Sequence, residues 1–293
     1  MKKFNKDTFR IACAEFNIRK SLIALAISCA VLAFIVILKL TTGKPENWYG
    51  VLIGVGFLLA LAFAIKYCRY RDLDSDLPYD LIWWIFPMSL LGARLMHCIV
   101  YGQMQDFFNF NVGGFVFYGG AIGGVIGLVI CCLIKKVNII KTMDIAAPVL
   151  LLGQAFGRIG CYSAECCYGL EVTSKALQWF PISVYVGEAN AYCLATFFWE
   201  SMLCLIGFFV LAKLLQKFRH TGLIACSYLF YYGIVRYFTE SFRHADAQAT
   251  VSGLPISKII SLIIVLVGTI GIVTIVLRER RKNFEENDKT SNN

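Results

Sequence analysis

Thirteen residues, GRIGCYSAECCYG (Gly157–Gly169), bring an arginine, a glutamate and three cysteines to the end of an apolar run, Ile145–Phe156. Arginine keeps its proton at physiological pH, and a charge at the depth of a hydrocarbon layer is costly enough to mark a site. A second group lies in YYGIVRYFTESFRHADAQ (Tyr231–Gln248), where Arg236, Glu240 and Arg243 are spaced i, i+4, i+7 and share one helical face. An arginine–glutamate pair can neutralise itself inside a bundle, but the second arginine leaves a surplus positive charge. Arg94, in LGARLMHCIVY, is a further arginine in an apolar run, open either to pairing with Glu200 or Glu240 or to a place in the site. Guanidinium groups with little local acid suit phosphate, which they grip through two parallel hydrogen bonds. In an apolar chain the phosphate at hand is a phospholipid head group, and an enzyme acting there would cut or transfer part of that lipid.

The elements that must position these residues are membrane spans. Hydrophobic residues make up 58% of the 293, charged residues only 16%, and the mean hydropathy is +0.66. That balance excludes an ordinary soluble domain. Eight runs are long enough to cross roughly 30 Å of hydrocarbon: Ser21–Leu40, Tyr49–Tyr67, Leu81–Tyr101, Gly114–Ile134, Met143–Ile159, Thr196–Leu215, Leu223–Phe242 and Ser257–Leu277. Lipid offers backbone groups no partner, so the runs must be helical. The expected fold is an all-α, polytopic helical membrane protein.

The net charge of +9 is a topology signal rather than a nucleic-acid footprint. Basic residues gather before the first run and after the second (Lys66, Arg69, Arg71), fourth (Lys135, Lys136, Lys141), sixth (Lys213, Lys217, Arg219) and last (Arg278 to Lys289). The positive-inside rule then puts both termini in the cytoplasm, and Gly157–Gly169 at the outer face of the cell membrane. The first run resembles a signal peptide in its basic start. Its apolar length of about twenty residues and the poor cleavage site at Lys39–Thr42 favour a retained anchor. Three regions follow: 1–47, a basic N-terminus with an extra span; 48–282, the membrane core; and 283–293, a short polar tail expected to be disordered.

Five glycines in FYGGAIGGVIG (Gly119, Gly120, Gly123, Gly124 and Gly127) have small-xxx-small spacing, a signal for helix backbones in contact. Tyr118 just ahead of them, and Trp48 and Tyr49 in NWYG, suit a membrane interface. Of twelve cysteines, half lie inside runs and act as small hydrophobes. Cys161, Cys166, Cys167 and Cys193 cluster outside, where packing, a disulfide or a thiol role are all open. Their spacing fits no zinc pattern.

The segments NWYGVLIGVGF, LGARLMHCIVY, FYGGAIGG, GRIGCYSAECCYG, FFWE and GIVRYFTESFRHADAQ resemble, in order and spacing, the prolipoprotein diacylglyceryl transferase family. The resemblance runs from Trp48 to Leu277 and implies a seven-helix core, to which the first run is an addition. It implies transfer of the diacylglyceryl group of phosphatidylglycerol to the thiol of the lipobox cysteine of a prolipoprotein, with loss of glycerol phosphate. The implied partners are phosphatidylglycerol, the lipobox segment and the lipid bilayer, with neither cofactor nor metal. Tyr49, Arg158, Gly169, Arg236, Glu240 and Arg243 fall on matching family positions, and Glu200 in FFWE also matches a family glutamate. The candidate catalytic residues are then Tyr49, Tyr118, Arg158, Glu165, Arg236 and Glu240, and the candidate phospholipid-binding residues Arg94, Arg158, Gly169, Arg236 and Arg243. The chain departs from the family pattern at Tyr118, where histidine is common, at Cys161 (asparagine) and at Cys166 (glutamate). Glu165 lies one residue from that expected acid. A relative acting on another acceptor, or an inactive lipid-binding protein, is the alternative.

Overall fold

A computed structural model describes residues 48–108, 114–163, 167–187, 189–243, 250–251 and 254–291. The expected first span, Ser21–Leu40, lies outside the described residues, as do Glu165 and Cys166. Seven long helices follow: α1 (Trp48–Cys68), α2 (Leu77–Tyr101), α3 (Phe117–Lys135), α4 (Ile139–Ser163), α5 (Thr196–Lys217), α6 (Leu223–Glu240) and α7 (Ile256–Ser291). Two hairpins, β1 (Ser183–Val186) with β2 (Ala191–Leu194) and β3 (Thr250–Val251) with β4 (Leu254–Pro255), complete the described elements. All the helices but α6 are long and apolar enough to cross a membrane. α6 spends its length on tyrosines and on Arg236 and Glu240, and falls short in hydropathy rather than in helicity.

The turn chemistry is local. α2 starts on Pro78 and stops at Gly102, whose φ of 67° returns its N–H to the Cys98 carbonyl. α6 begins after Gly222, with φ 91°. α7 departs from the expectation of a disordered tail: it runs through the polar stretch to Ser291. The segment from Arg278 onward is rich in Arg, Lys and Glu and contains neither glycine nor proline to stop a helix.

α4 is the central element, packed on α1, α5 and α6, while α2 pairs with α3 and α6 with α7. Leu151, Leu152 and Ala155 of α4 meet Tyr67, Cys204, Phe208, Leu211 and Ile224 in the main core. The glycine stripe does what its spacing predicts: a Cβ on Gly119, Gly123 or Gly127 would run into the α2 backbone at Gly92, Met88 or Trp84. Only 11% of the apolar window of α7 is buried inside the protein, against 44% for α4 and α5. The outward side chains of α7 therefore require lipid as their solvent.

At the basic end, Asp144 is fully buried. Its carboxylate accepts from Arg71 Nε (3.2 Å) and from the backbone N–H groups of Gly222 (2.8 Å), Ile224 (3.1 Å) and Ala225 (3.0 Å). One α4 side chain thus caps the start of α6 and ties it to the end of α1. The helices leave this clasp in alternating directions and bring the second halves of α4 and α6 and the first turn of α5 to the opposite end.

Candidate functional site

At that opposite end three helices contribute one run of alternating charge. Arg158, from α4, places Nη2 3.0 Å from Glu200 Oε1. Glu200, in the second turn of α5, places Oε2 3.3 Å from Arg236 Nη1. Arg236 Nη2 lies 2.9 Å from Glu240 Oε2, one turn along α6, and Arg243 Nη1 closes the run 3.5 Å from the same oxygen. Both glutamates are buried, while the side chains of Arg158, Arg236 and Arg243 keep 20%, 18% and 16% of their surface. Three guanidiniums and two carboxylates leave one net positive charge, and the carboxylates are the members withdrawn from the surface. A partly open row of guanidiniums, held apart and oriented by buried acids, is suited to an oxyanion such as phosphate.

A small sheet braces the end of this row. Residues 169–172 add a strand-like edge to β2: Gly169 N–H donates to the Leu194 carbonyl (2.8 Å), Leu194 N–H to the Leu170 carbonyl (2.9 Å) and Val172 N–H to the Tyr192 carbonyl (2.7 Å). Gly169 also bridges to Arg243, with Leu170 N–H donating to the Phe242 carbonyl at 2.9 Å. A Cβ on Gly169 would sit 2.6 Å from that carbonyl and 2.8 Å from both Leu194 Cβ and Thr196 Cγ2. Only glycine lets the strand pass between β2 and Arg243.

The sequence-predicted residues fall into three groups. Arg158, Arg236, Glu240, Arg243 and Gly169 are brought together as described. Tyr49 and Tyr118 border them: the Tyr49 ring lies 2.9 Å from where a Cβ on Gly160 would be, two residues beyond Arg158. The half-open Tyr118 phenol is within electrostatic reach of Arg236, Glu240 and Arg243. Arg94 is placed differently. It is 1% exposed and donates from Nε to the Phe107 carbonyl (3.3 Å) and from Nη1 to the Gly114 carbonyl (3.2 Å), clamping the α2–α3 connection. Glu200 and Glu240, the partners the sequence left open to it, pair with Arg158, Arg236 and Arg243.

Glu200 is the hub that sequence reasoning underrated. Its signal was present: it is the single charged residue between Thr196 and Ala212. Behind it, Tyr232 O–H reaches Oε1 at a long 3.5 Å, and the Tyr232 ring stacks on Tyr228 (5.7 Å), whose hydroxyl accepts from Gln154 Nε2 (3.0 Å). The cysteines resolve in part. Cys68, Cys98, Cys131, Cys132, Cys193, Cys204 and Cys226 are free thiols. Cys167 Sγ accepts from Arg158 Nη1 at 3.4 Å, and Cys161 Sγ lies 3.6 Å from the Gly157 carbonyl one turn back. Cys193 is buried in β2, and burial, then the nearby Glu171 carboxylate, push its thiol pKa up, away from reactivity.

Comparison with known proteins adds an independent line. The sequence model of a family described as prolipoprotein diacylglyceryl transferase matches residues 35–274. Phosphatidylglycerol–prolipoprotein diacylglyceryl transferase 1 of Clostridium perfringens (strain 13 / Type A) is 30% identical over 244 residues, covering 80% of this chain and 92% of the relative. The transferases of the same description from Lysinibacillus sphaericus (strain C3-41) and Streptococcus uberis (strain ATCC BAA-854 / 0140J) are 33% and 34% identical. They are covered over 86% and 93% of their lengths, and cover 76% and 81% of this chain.

Proposed function

The chain belongs to the prolipoprotein diacylglyceryl transferase family, and from that premise we propose that it transfers the diacylglyceryl group of phosphatidylglycerol to the cysteine thiol of a prolipoprotein lipobox. The observation that carries the reading is the Arg158–Glu200–Arg236–Glu240–Arg243 run at one end of a membrane bundle. The lipid phosphate lies across the open faces of Arg158 and Arg236, with Arg243 at its edge. A thiolate on the acceptor attacks the glycerol carbon that carries the phosphate. The C–S bond forms, the C–O bond breaks, and its electron pair leaves on glycerol phosphate. Negative charge therefore grows on a phosphate oxygen as the bond breaks, where fixed guanidiniums stabilise it most.

A thiol with pKa about 8.5 must first lose its proton. Glu165, beside the position of a family glutamate, is the candidate acceptor of that proton, and Tyr118, at the position where the family commonly has histidine, serves as a base only in its phenolate form. Glu240 holds Arg236 and Arg243, Tyr49 orients the head group or thiol, and Arg94 shapes the wall through the α2–α3 connection. The basic connections at the clasp end support cytoplasmic termini and a site facing the outer leaflet of the cell membrane. A membrane-impermeant thiol reagent that labels Cys68 in intact cells would invert this orientation.

Purified protein, given labelled phosphatidylglycerol and a lipobox peptide, is expected to add one diacylglyceryl mass to the peptide cysteine. Unmodified peptide in the presence of bound lipid would sink the assignment. The departures at Tyr118, Cys161 and Cys166 favour one alternative, a relative with another acceptor thiol. Transfer to non-lipobox thiol peptides at equal or greater rate would select it.

A further inference from the structure

The site end of the bundle carries two connections whose composition does not suit water. Residues 176–187 contain no charged side chain, and residues 102–116 contain only Asp106. Yet Trp179, Phe180 and Tyr185 in the first are 54%, 57% and 52% exposed, and Phe108 and Phe115 in the second are 83% and 49% exposed. Phe117, opening α3 immediately after, is 69% exposed. Uncharged, aromatic surface of this extent marks an interaction face.

The contacts fix the height of both connections relative to the spans. The Phe180 ring packs 4.7 Å from Phe198, in the first turn of α5, and Trp199 Nε1 donates to the Pro181 carbonyl at 2.8 Å. Ala195 N–H donates to the Ile182 carbonyl at 3.0 Å. The Trp179–Pro181 turn therefore sits level with the start of the α5 span rather than projecting beyond it. The other connection is drawn deeper. Arg94 holds the Phe107 and Gly114 carbonyls, and Val116 N–H donates to the Ala93 carbonyl at 3.1 Å. Arg94 stands seven residues before the end of α2 at Tyr101, about 10 Å down the helix axis at ~1.5 Å per residue. The start of α3 thus lies alongside α2, well below the end of that helix.

We propose that residues 102–108 and 114–117 of one connection and residues 176–187 of the other form an apron seated in the head-group layer around the site, with phospholipid covering Phe108, Phe115, Phe117, Trp179, Phe180 and Tyr185. Tryptophan and tyrosine favour that layer because one end of each ring system is apolar and the other carries a donor. Lys175, exposed at the edge of the 176–187 segment, is placed to meet lipid phosphates. Taken with the transferase reading, on which this consequence rests, the apron sets the depth at which a donor lipid meets the arginine row.

The test uses the full chain in vesicles of phosphatidylcholine and phosphatidylglycerol with a lipobox peptide present. Phe117→p-benzoylphenylalanine and Phe180→p-benzoylphenylalanine are irradiated separately and analysed by mass spectrometry. Phospholipid adducts at both positions are expected. Adducts to the peptide, or no lipid adduct at either position, would overturn the apron. In a second measurement, the double variant Trp179→Ser, Phe180→Ser is expected to lose about tenfold in transfer from bilayer phosphatidylglycerol. With a dispersed short-chain phosphatidylglycerol the loss is expected to stay within about twofold. Equal losses on the two donors would show a role in folding alone and overturn the proposal. Photoadducts form without turnover, so lipid adducts on a chain that transfers nothing would sink the transferase reading and leave the apron standing.

Discussion

Glu200→Gln is the sharpest perturbation of the charged row, because one buried carboxylate organises two guanidiniums from different helices. In the native chain its oxygens lie 3.0 Å from Arg158 Nη2 and 3.3 Å from Arg236 Nη1. Each contact is worth about 4 kcal/mol of attraction at an effective dielectric near 20, most of it offset by desolvation. Removing one member of a buried pair costs more than the net value of the pair, about 3–5 kcal/mol. A glutamine has one oxygen and one NH2, so one arginine contact survives and the other becomes donor against donor. If about 3 kcal/mol of that loss falls on the geometry of the arginines in the transition state, kcat drops about a hundredfold. KM is expected to hold or fall, because the net charge of the row rises from one positive to two while the donor lipid is an anion. The assay is transfer from phosphatidylglycerol to a lipobox peptide in vesicles, with size-exclusion behaviour confirming a folded variant. A folded Glu200→Gln protein with kcat within about threefold of wild type would refute the claim that the carboxylate positions the arginines.

Arg158→Lys is expected to lose at least about a hundredfold in transfer, because an ammonium cannot keep Glu200 and still present a two-pronged grip to phosphate; near-native kinetics would remove the centre of the site. Gly169→Ala, with no room between Phe242, Leu194 and Thr196, is expected to cost about 1–3 kcal/mol of stability and to lower activity through Arg243; thermal unfolding in detergent reads the first and transfer the second. Asp144→Ala strips the clasp at the opposite end and leaves Arg71 buried without its carboxylate, so about 3–5 kcal/mol of stability should be lost while the KM of surviving enzyme is unchanged. Tyr118→His is expected to keep or raise transfer near neutral pH, since imidazole is the better base there, and Cys161→Asn to be tolerated. Loss of transfer in both of those variants, with normal membrane insertion, would assign the chemistry to tyrosine and thiol.

The helices were legible because a span must be continuous, apolar and helical: six expected runs reappear within a few residues of their predicted limits, a seventh reappears with its end carried on to Ser291, and Ser21–Leu40 lies outside the described residues. Arg236 and Glu240 were legible as a pair because i, i+4 spacing fixes them on one helix whatever the fold. Glu200 was not legible as a hub: it joins residues 42 positions before and 36 after it, and only the packing of α4, α5 and α6 creates that meeting. Arg94 obeys the same rule as Arg158, and the Phe107 and Gly114 carbonyls to which it donates belong to a connection whose fold the sequence pattern does not give. Asp144 was passed over for a similar reason, since the helix start it caps lies 78 to 81 residues away. The hairpin of β1 and β2 has strands of four residues, too short for alternation to stand out from loop sequence.

The order of charges in the row explains why the arginines come with buried acids at all. Three guanidiniums crowded at a lipid interface would repel one another and recruit any anion without fixed geometry. Two interleaved carboxylates remove that repulsion and, being buried, leave the outward faces to the arginines. The remaining charge of plus one matches the single negative charge of a phosphodiester head group. In the proposed reaction the departing phosphate gains a second negative charge when the carbon–oxygen bond breaks, and the three partly open guanidiniums would then hold a stronger partner than in the ground state. Binding that strengthens as charge develops lowers the barrier instead of merely tightening the complex. Losing an arginine cancels the surplus and should weaken both stages. Losing Glu200 raises the surplus and should spare the first stage while spoiling the second, so the opposite responses of KM in Arg158→Ala and Glu200→Gln separate attraction from positioning within one row of side chains.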